Sequence, residues 1–238
     1  MCVWKCSRFV GLCLVVLSLL SVTANLLQLF PNLNGSYLRD KKISHQITKM
    51  TGVWGGGIMV LLAGIQAVLA GYRVRCLSRC RPCCYMLLSF MFCVLALIGA
   101  TVSLVFAAAI LSTGPYCLYK PSGEDIEKWG YPLKYIDEQL MHNRTGDVRV
   151  QIYISRASCY WVYDIFVFLH SSIIYLFEVP IWSSVCIEPP NIIPWTSSLS
   201  ICTFFINFLE IILCLSQLLN ATFGMICGHR ELKKEGDV

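Results

Sequence analysis

The sequence predicts an all-α membrane protein, a four-helix transmembrane bundle with a small first and a large second extracellular loop. Of its 238 residues, 56% are hydrophobic and only 14% are charged, whereas a soluble domain carries about 25% charged residues. Four long apolar runs contain at most one charge each, and about 20 such residues cross a ~30 Å hydrocarbon core as a helix. This composition excludes a disordered chain, a fibrous repeat and a soluble enzyme domain.

The predicted spans are residues 9–30, 50–71, 85–111 and 199–227. The first span also has the basic start and the small residues of a signal peptide. Its apolar run continues to Phe30, however, and exceeds the ~7–15 residues of a signal peptide's apolar core. We therefore expect a retained helix rather than a cleaved leader.

Lysine and arginine predict the orientation, because cytoplasmic segments carry most of them. They are concentrated in residues 1–8, in an Arg/Cys-rich loop at 72–84 and in the tail at 228–238, although the small loop at 31–49 also carries four. We therefore expect both termini to be cytoplasmic. Residues 31–49 and 112–198 are then the extracellular loops.

The large loop contains a hydrophobic stretch within residues 139–181. Its longest uncharged piece, residues 165–177, is too short for a span and is closed by Asp164 and Glu178. Just before it, apolar and polar residues alternate from Val148 to Ile154, which is typical of a half-buried strand. We expect a partly β extracellular segment here, with a fifth span as the alternative.

Several cysteines lie at the predicted cytoplasmic membrane edge beside basic residues, a setting typical of S-palmitoylation. The predicted sites are Cys2, Cys6, Cys80, Cys83 and Cys84. The alternatives are inert thiols, or a zinc site built on the spacing Cys76-x3-Cys80-x2-Cys83-Cys84. Zinc requires four ligands, and the interleaved arginines oppose binding of a dication.

The predicted extracellular cysteines are Cys117, Cys159 and Cys186. Three cysteines leave one unpaired, and we predict a Cys117–Cys186 bond, which would join the two ends of the large loop. Pairing of Cys159 with one of the other two stays open, because connectivity cannot be read from spacing. Asn34 and Asn143 lie in glycosylation sequons within the predicted extracellular loops.

The spans also carry features suited to helix packing. Small residues recur at four-residue intervals in the second and third spans, and this spacing allows close approach of helices in lipid. The fourth span presents Glu210 and Gln217 on one face. A carboxyl group in a membrane is expected to face the bundle interior with a partner, so Asn25, Gln28 and Gln66 are candidate partners. We predict a structural polar core of Asn25, Gln66, Glu210 and Gln217, with an ion or proton path as the alternative.

Motifs along almost the whole chain resemble those of the transmembrane 4 L-six family, four-span surface proteins that are distinct from the true tetraspanins. The motifs are, in chain order, Met1-Cys2-x3-Cys6, Phe30-Pro31-Asn32, Gly55-Gly56-Gly57, Gly114-Pro115-x-Cys117, Trp129-Gly130-Tyr131-Pro132, Trp182-x3-Cys186, Pro194-Trp195 and Ile226-Cys227-Gly228. The stretch at 139–181 departs from the family pattern and looks like an insertion.

This resemblance implies a non-enzymatic membrane scaffold. Such a protein associates laterally with receptors, adhesion proteins and tetraspanin-like assemblies, and influences cell growth, adhesion or migration. Its expected location is the plasma membrane, with endosomal cycling and self-association as further expectations. The residues themselves show no catalytic constellation, and we expect membrane lipid as a partner, no cofactor, no metal and no nucleic acid. The alternative function is a transporter, a channel or an accessory subunit that uses the polar stripe around Glu210.

Overall fold

The computed structural model describes residues 2–40, 42–72, 81–120, 126–132 and 185–236. The expectations for Asn143, Cys159, Cys80 and the stretch at 139–181 lie outside these residues. The side chains of Cys2, Cys83 and Cys84 also lie outside the description.

Helices make up most of the described chain. Helix α1 is Cys2–Gln28, followed by a 3-10 turn at Pro31–Leu33 and the short helices α2 (Ser36–Arg39) and α3 (His45–Thr48). A π-helical segment, Val53–Met59, continues into α4 (Val60–Tyr72), and α5 is Arg81–Thr113. Two short strands, β1 (Cys117–Tyr119) and β2 (Lys128–Gly130), precede the last helix, α6 (Ile192–Gly236).

Within the ranges that the structure describes, four helical segments are long and apolar enough to cross a membrane. They are Lys5–Gln28, Val53–Gly71, Met86–Thr113 and Ile192–Gly224. The predicted all-α, four-span fold is therefore confirmed.

Local sequence explains where the long helices stop. Helix α5 ends where Gly114 adopts a left-handed φ of 76° and its N–H bonds the carbonyl of Ile110 at 3.0 Å. Glycine accepts this conformation without steric cost, and Pro115 cannot continue the helix. The chain therefore leaves the apolar run directly into β1.

The chain forms two compact units, which are described separately. The first comprises Met1–Leu26, Met50–Phe106 and Cys202–Val238, and the second comprises Leu27–Lys49 and Ala107–Ile201. The core of the first unit is a cluster contributed by all four spanning helices: Val10, Leu14, Val60, Ala63, Cys93, Ala96, Ala100 and Cys214.

Glycines in this first unit let helix backbones touch. A Cβ atom added at Gly99 would lie 2.8 Å from the carbonyl oxygen of Gly55, and one added at Gly11 would lie 2.8 Å from that of Gly64. Such distances are too short for real Cβ contacts, so these positions require glycine. Close backbone approach of this kind is the main packing device between helices in lipid.

We predict that Gly99→Ala destabilises the protein by about 1–3 kcal/mol, the usual range for overpacking a well-packed core. Alanine normally stabilises a helix by about 1 kcal/mol relative to glycine. At Gly99 we expect the opposite effect on stability, because an added Cβ atom would clash with Gly55. Thermal unfolding in detergent measures the effect. Val102→Leu, on the exposed side of the same helix, is the control and should leave the midpoint unchanged. A higher midpoint for Gly99→Ala would contradict the close approach.

Candidate functional site

The fourth spanning helix carries a buried polar face. Asn207, Glu210 and Gln217 are all 0% exposed, and Cys214 is 1% exposed. Their spacing places them along one side of α6, since residues three, four and seven positions apart lie on the same helix face. The polar groups therefore lie inside the first unit rather than against lipid.

Gln217 joins all four spanning helices in one polar layer. Its Nε2 atom donates to Ser7 Oγ of α1 at 2.8 Å and to Ser89 Oγ of α5 at 3.4 Å. Ser7 Oγ in turn donates to the carbonyl oxygen of Ala67 in α4 at 2.9 Å. Both serines are fully buried. We call Ser7, Ser89, Gln217 and the Ala67 carbonyl the glutamine layer.

Asn207 forms a second layer of the same kind. Its Nδ2 atom donates to Ser103 Oγ of α5 at 2.8 Å. A Cβ atom added at Gly56 would lie 2.9 Å from Ser21 Oγ and 3.0 Å from Ser103 Oγ, and would overlap Asn207 Oδ1. Gly56 belongs to the π-helical segment, and its missing side chain is what makes room for these oxygens. Ser21, Gly56, Ser103 and Asn207 are the asparagine layer.

Glu210 follows Asn207 by one helical turn and lacks the partner that the sequence led us to expect. Neither carboxyl oxygen makes a hydrogen bond within the described part of the chain. Ser21 Oγ, Asn207 Oδ1 and Gln217 Oε1 are buried without a hydrogen bond there as well.

Two of the three candidate partners of Glu210 make hydrogen bonds elsewhere. Asn25 donates to the carbonyl of Ser21 in its own helix at 2.7 Å, and its side chain packs against Gly52. Gln28 donates to Ser200 Oγ at 3.3 Å within the second unit. Gln66 is only half-buried. None of the three therefore hydrogen-bonds to Glu210 in the structure, contrary to the expectation.

In the second unit, a disulfide joins Cys117 to Cys186, which are 69 positions apart in the sequence. Closing a loop of this length stabilises a fold by an amount on the order of 4 kcal/mol in the chain-entropy model. Leu118 N–H donates to the Glu188 carbonyl at 2.9 Å, and Ile187 N–H donates to the Leu118 carbonyl at 2.8 Å. The disulfide is thus reinforced by backbone bonds beside it.

Strand β1 pairs antiparallel with β2 on its other side, with Leu118 opposite Trp129. Tyr116 stacks on Trp129 at 5.9 Å between ring centroids and meets Tyr131 edge-on at 5.2 Å. We call Tyr116, Trp129 and Tyr131 the aromatic cluster. It is the framework on which the described part of the large loop is organised.

The small loop packs on the aromatic cluster. Lys42 Nζ lies 5.2 Å from the Trp129 ring centroid, within the range of a cation–π contact. Ser44 Oγ and the Tyr131 hydroxyl are 2.9 Å apart and hydrogen-bonded. Sequence reasoning missed this contact, because neither Lys42 nor Ser44 belongs to a motif that predicts a tertiary partner.

The modification sites that the structure describes are Asn34 and Cys6. Asn34 is exposed, and its Oδ1 atom accepts a hydrogen bond from the Ser36 N–H at 3.1 Å. Cys6 is an exposed free thiol. Among the described residues no cluster of three or more His, Cys, Asp or Glu could hold a metal ion, while the Cys76–Cys80 part of the zinc motif lies outside them.

We predict that Gln217→Leu destabilises the first unit by about 1–2 kcal/mol, the range for an interhelical hydrogen bond in lipid, because Ser7 and Ser89 lose their donor. Leu219→Met, at an exposed position of the same helix, is the control. Unfolding of the monomer in detergent should be shifted by the first variant only. Equal shifts would show that the glutamine layer contributes no specific stability.

Comparison with known proteins gives matches over nearly the whole chain. The L6 membrane protein family model matches residues 1–231. Transmembrane 4 L6 family member 5 of Bos taurus is 34% identical over 242 residues, covering 99% of this chain and 98% of that protein. Transmembrane 4 L6 family member 19 of Mus musculus is 30% identical over 233 residues, covering 97% of this chain and 95% of that protein. No solved structure matches significantly.

The insertion predicted at 139–181 stays a prediction. The resemblance recognised in the motifs is confirmed over the full length, and the chain belongs to the L6 membrane protein family.

Proposed function

We propose that this chain is a non-enzymatic multi-pass scaffold that associates laterally with receptors and adhesion proteins and thereby influences growth, adhesion or migration. Family membership favours a non-enzymatic membrane protein. The observation that carries the proposal is that buried polar side chains form hydrogen bonds between the spanning helices. The amide nitrogens of Asn207 and Gln217 are both engaged in bonds between helices, which suits a rigid body that presents its surface to partners.

The outer faces of the spanning helices support lateral association. Large apolar side chains are exposed on each of them, including Phe9, Leu62, Ile98 and Phe205. In a membrane such faces meet lipid or the apolar helices of other proteins. Partner choice then depends on shape and on the few polar groups at these faces.

The second unit offers a further contact surface. Ile126 and Ile187 are exposed beside a framework held by the disulfide and the aromatic cluster. Exposed apolar side chains on a rigid framework are typical of protein-binding surfaces. We propose that this surface contacts the extracellular parts of partner proteins.

The orientation and modifications form part of the same proposal. Both termini and the loop at 72–84 are cytoplasmic, and the protein lies in the plasma membrane with cycling through endosomes. Cys2, Cys6, Cys80, Cys83 and Cys84 are palmitoylated, and Asn34 and Asn143 are glycosylated. The exposure of Cys6 and Asn34 suits both modifications.

Proximity labelling in intact cells tests the scaffold. We expect receptors and adhesion proteins to be enriched over an unrelated four-span protein expressed at the same level. Ile126→Asp together with Ile187→Asp should reduce this enrichment at least about fivefold, because charge opposes burial of these positions in a contact. Surface amount and the Cys117–Cys186 bond serve as controls for folding. Enrichment no greater than that of the unrelated protein would refute the scaffold.

The transport alternative is tested separately with Glu210→Gln, which keeps the shape of the side chain and removes its ability to ionise. The scaffold proposal predicts that wild type and variant reach the surface equally and show the same ion and proton fluxes. A flux present in wild type and lost in the variant at normal surface expression would instead favour a conductor.

A further inference from the structure

Gln66 places a polar side chain at an unusual position in α4. It lies five residues before Gly71, the end of the candidate span, which corresponds to about 7.5 Å along the helix axis. Side chains tilt toward the N-terminus of their helix, so the amide extends toward the middle of the span. The side chain is half-buried and makes no hydrogen bond within the described parts of the chain.

Thr23 and Thr101, on the exposed surface of the spans, are each satisfied within their own helix. Thr23 Oγ1 donates to the Leu19 carbonyl and Thr101 Oγ1 donates to the Leu97 carbonyl, both at 2.7 Å. An amide left without partners in hydrocarbon is far more costly, since no water is present to replace them. Gln66 therefore differs from these threonines in needing a partner from outside its own helix.

The residues around Gln66 form a regular strip. Met59, Leu62 and Leu69 are all exposed, Leu62 by 46% and Leu69 by 45%. Together with Gln66 they are spaced by three, four and three residues, the pattern of the a and d positions in a coiled-coil heptad. A single polar residue at such a position fixes the register of the paired helices. We call Met59, Leu62, Gln66 and Leu69 the α4 seam.

We propose that the α4 seam is an interface between two copies of this chain. A primary amide is self-complementary, because its NH₂ group can donate to the oxygen of a second amide while its own oxygen accepts in return. Two copies inserted with the same orientation can meet about a two-fold axis along the membrane normal, which brings like residues together. The Gln66 amides then pair across the axis, with the apolar seam residues packed above and below.

This inference specifies one lateral contact of the scaffold proposed above. It rests on that role only for its biological use, because pairing of two identical chains is measured without any receptor. If the chain is a scaffold but does not dimerise, proximity labelling shows partners and the dimerisation assay below shows no pairing. If the chain dimerises but is no scaffold, the two results are reversed.

Fluorescence energy transfer between differently labelled full-length chains in lipid vesicles tests the pairing. We expect Gln66→Leu to weaken dimerisation about tenfold, which corresponds to 1.4 kcal/mol, and Gln66→Asn, which retains an amide, to lose less. Thr101→Val removes a polar group from another exposed helix face and is the matched control, with no expected change. An unchanged dimerisation constant for Gln66→Leu, or no energy transfer for the wild type, would overturn the proposal.

Site-specific photo-crosslinking identifies the occupant of the seam. A benzophenone amino acid at Leu62 should give a dimer of this chain whose adduct maps to α4 of the second copy. The same probe at Leu95, exposed on α5, should give none. Adducts from position 62 that lie within a single chain, or only on other proteins, would show that a different segment occupies the seam.

Discussion

The first unit depends on one constraint: inside a membrane, polar side chains can be satisfied only by other parts of the protein. Gln217 meets it by donating to serines of two other helices, one of which bonds the backbone of a third. These bonds hold for one rotation and one register of each helix. Apolar packing alone would allow several rotations and registers of each helix, because an apolar helix face packs against lipid chains about as well as against another helix.

The glycines and the polar layers act together. Gly55 and Gly99 allow α5 to reach the π-helical segment before α4, and this approach brings Ser103 within reach of Asn207. Gly56 then leaves the space that the asparagine layer occupies. A side chain at any of these glycines would therefore disturb hydrogen bonds as well as packing. The loss of stability would then exceed what the change in buried apolar area accounts for.

The second unit is organised differently. A disulfide, a two-stranded pairing and the aromatic cluster arrange the described part of the large loop, and the small loop is attached through Lys42 and Ser44. Small domains with little core commonly need such covalent closure.

The sequence by itself determined the class of the protein and the number of its spans, because composition and apolar run length are properties of the chain alone. It also singled out Glu210 and Gln217 as interior residues, because exposing a carboxyl or amide group to lipid costs free energy on any face of a helix. Only the tertiary structure decided the pairings: Gln217 with Ser7 and Ser89, Gln28 with Ser200, and neither Asn25 nor Gln66 with Glu210. Serine is common in spans and carries no directional signal in sequence. Which serine meets which amide depends on the rotation and approach of whole helices, and these are set by glycine contacts between segments that are distant in the chain.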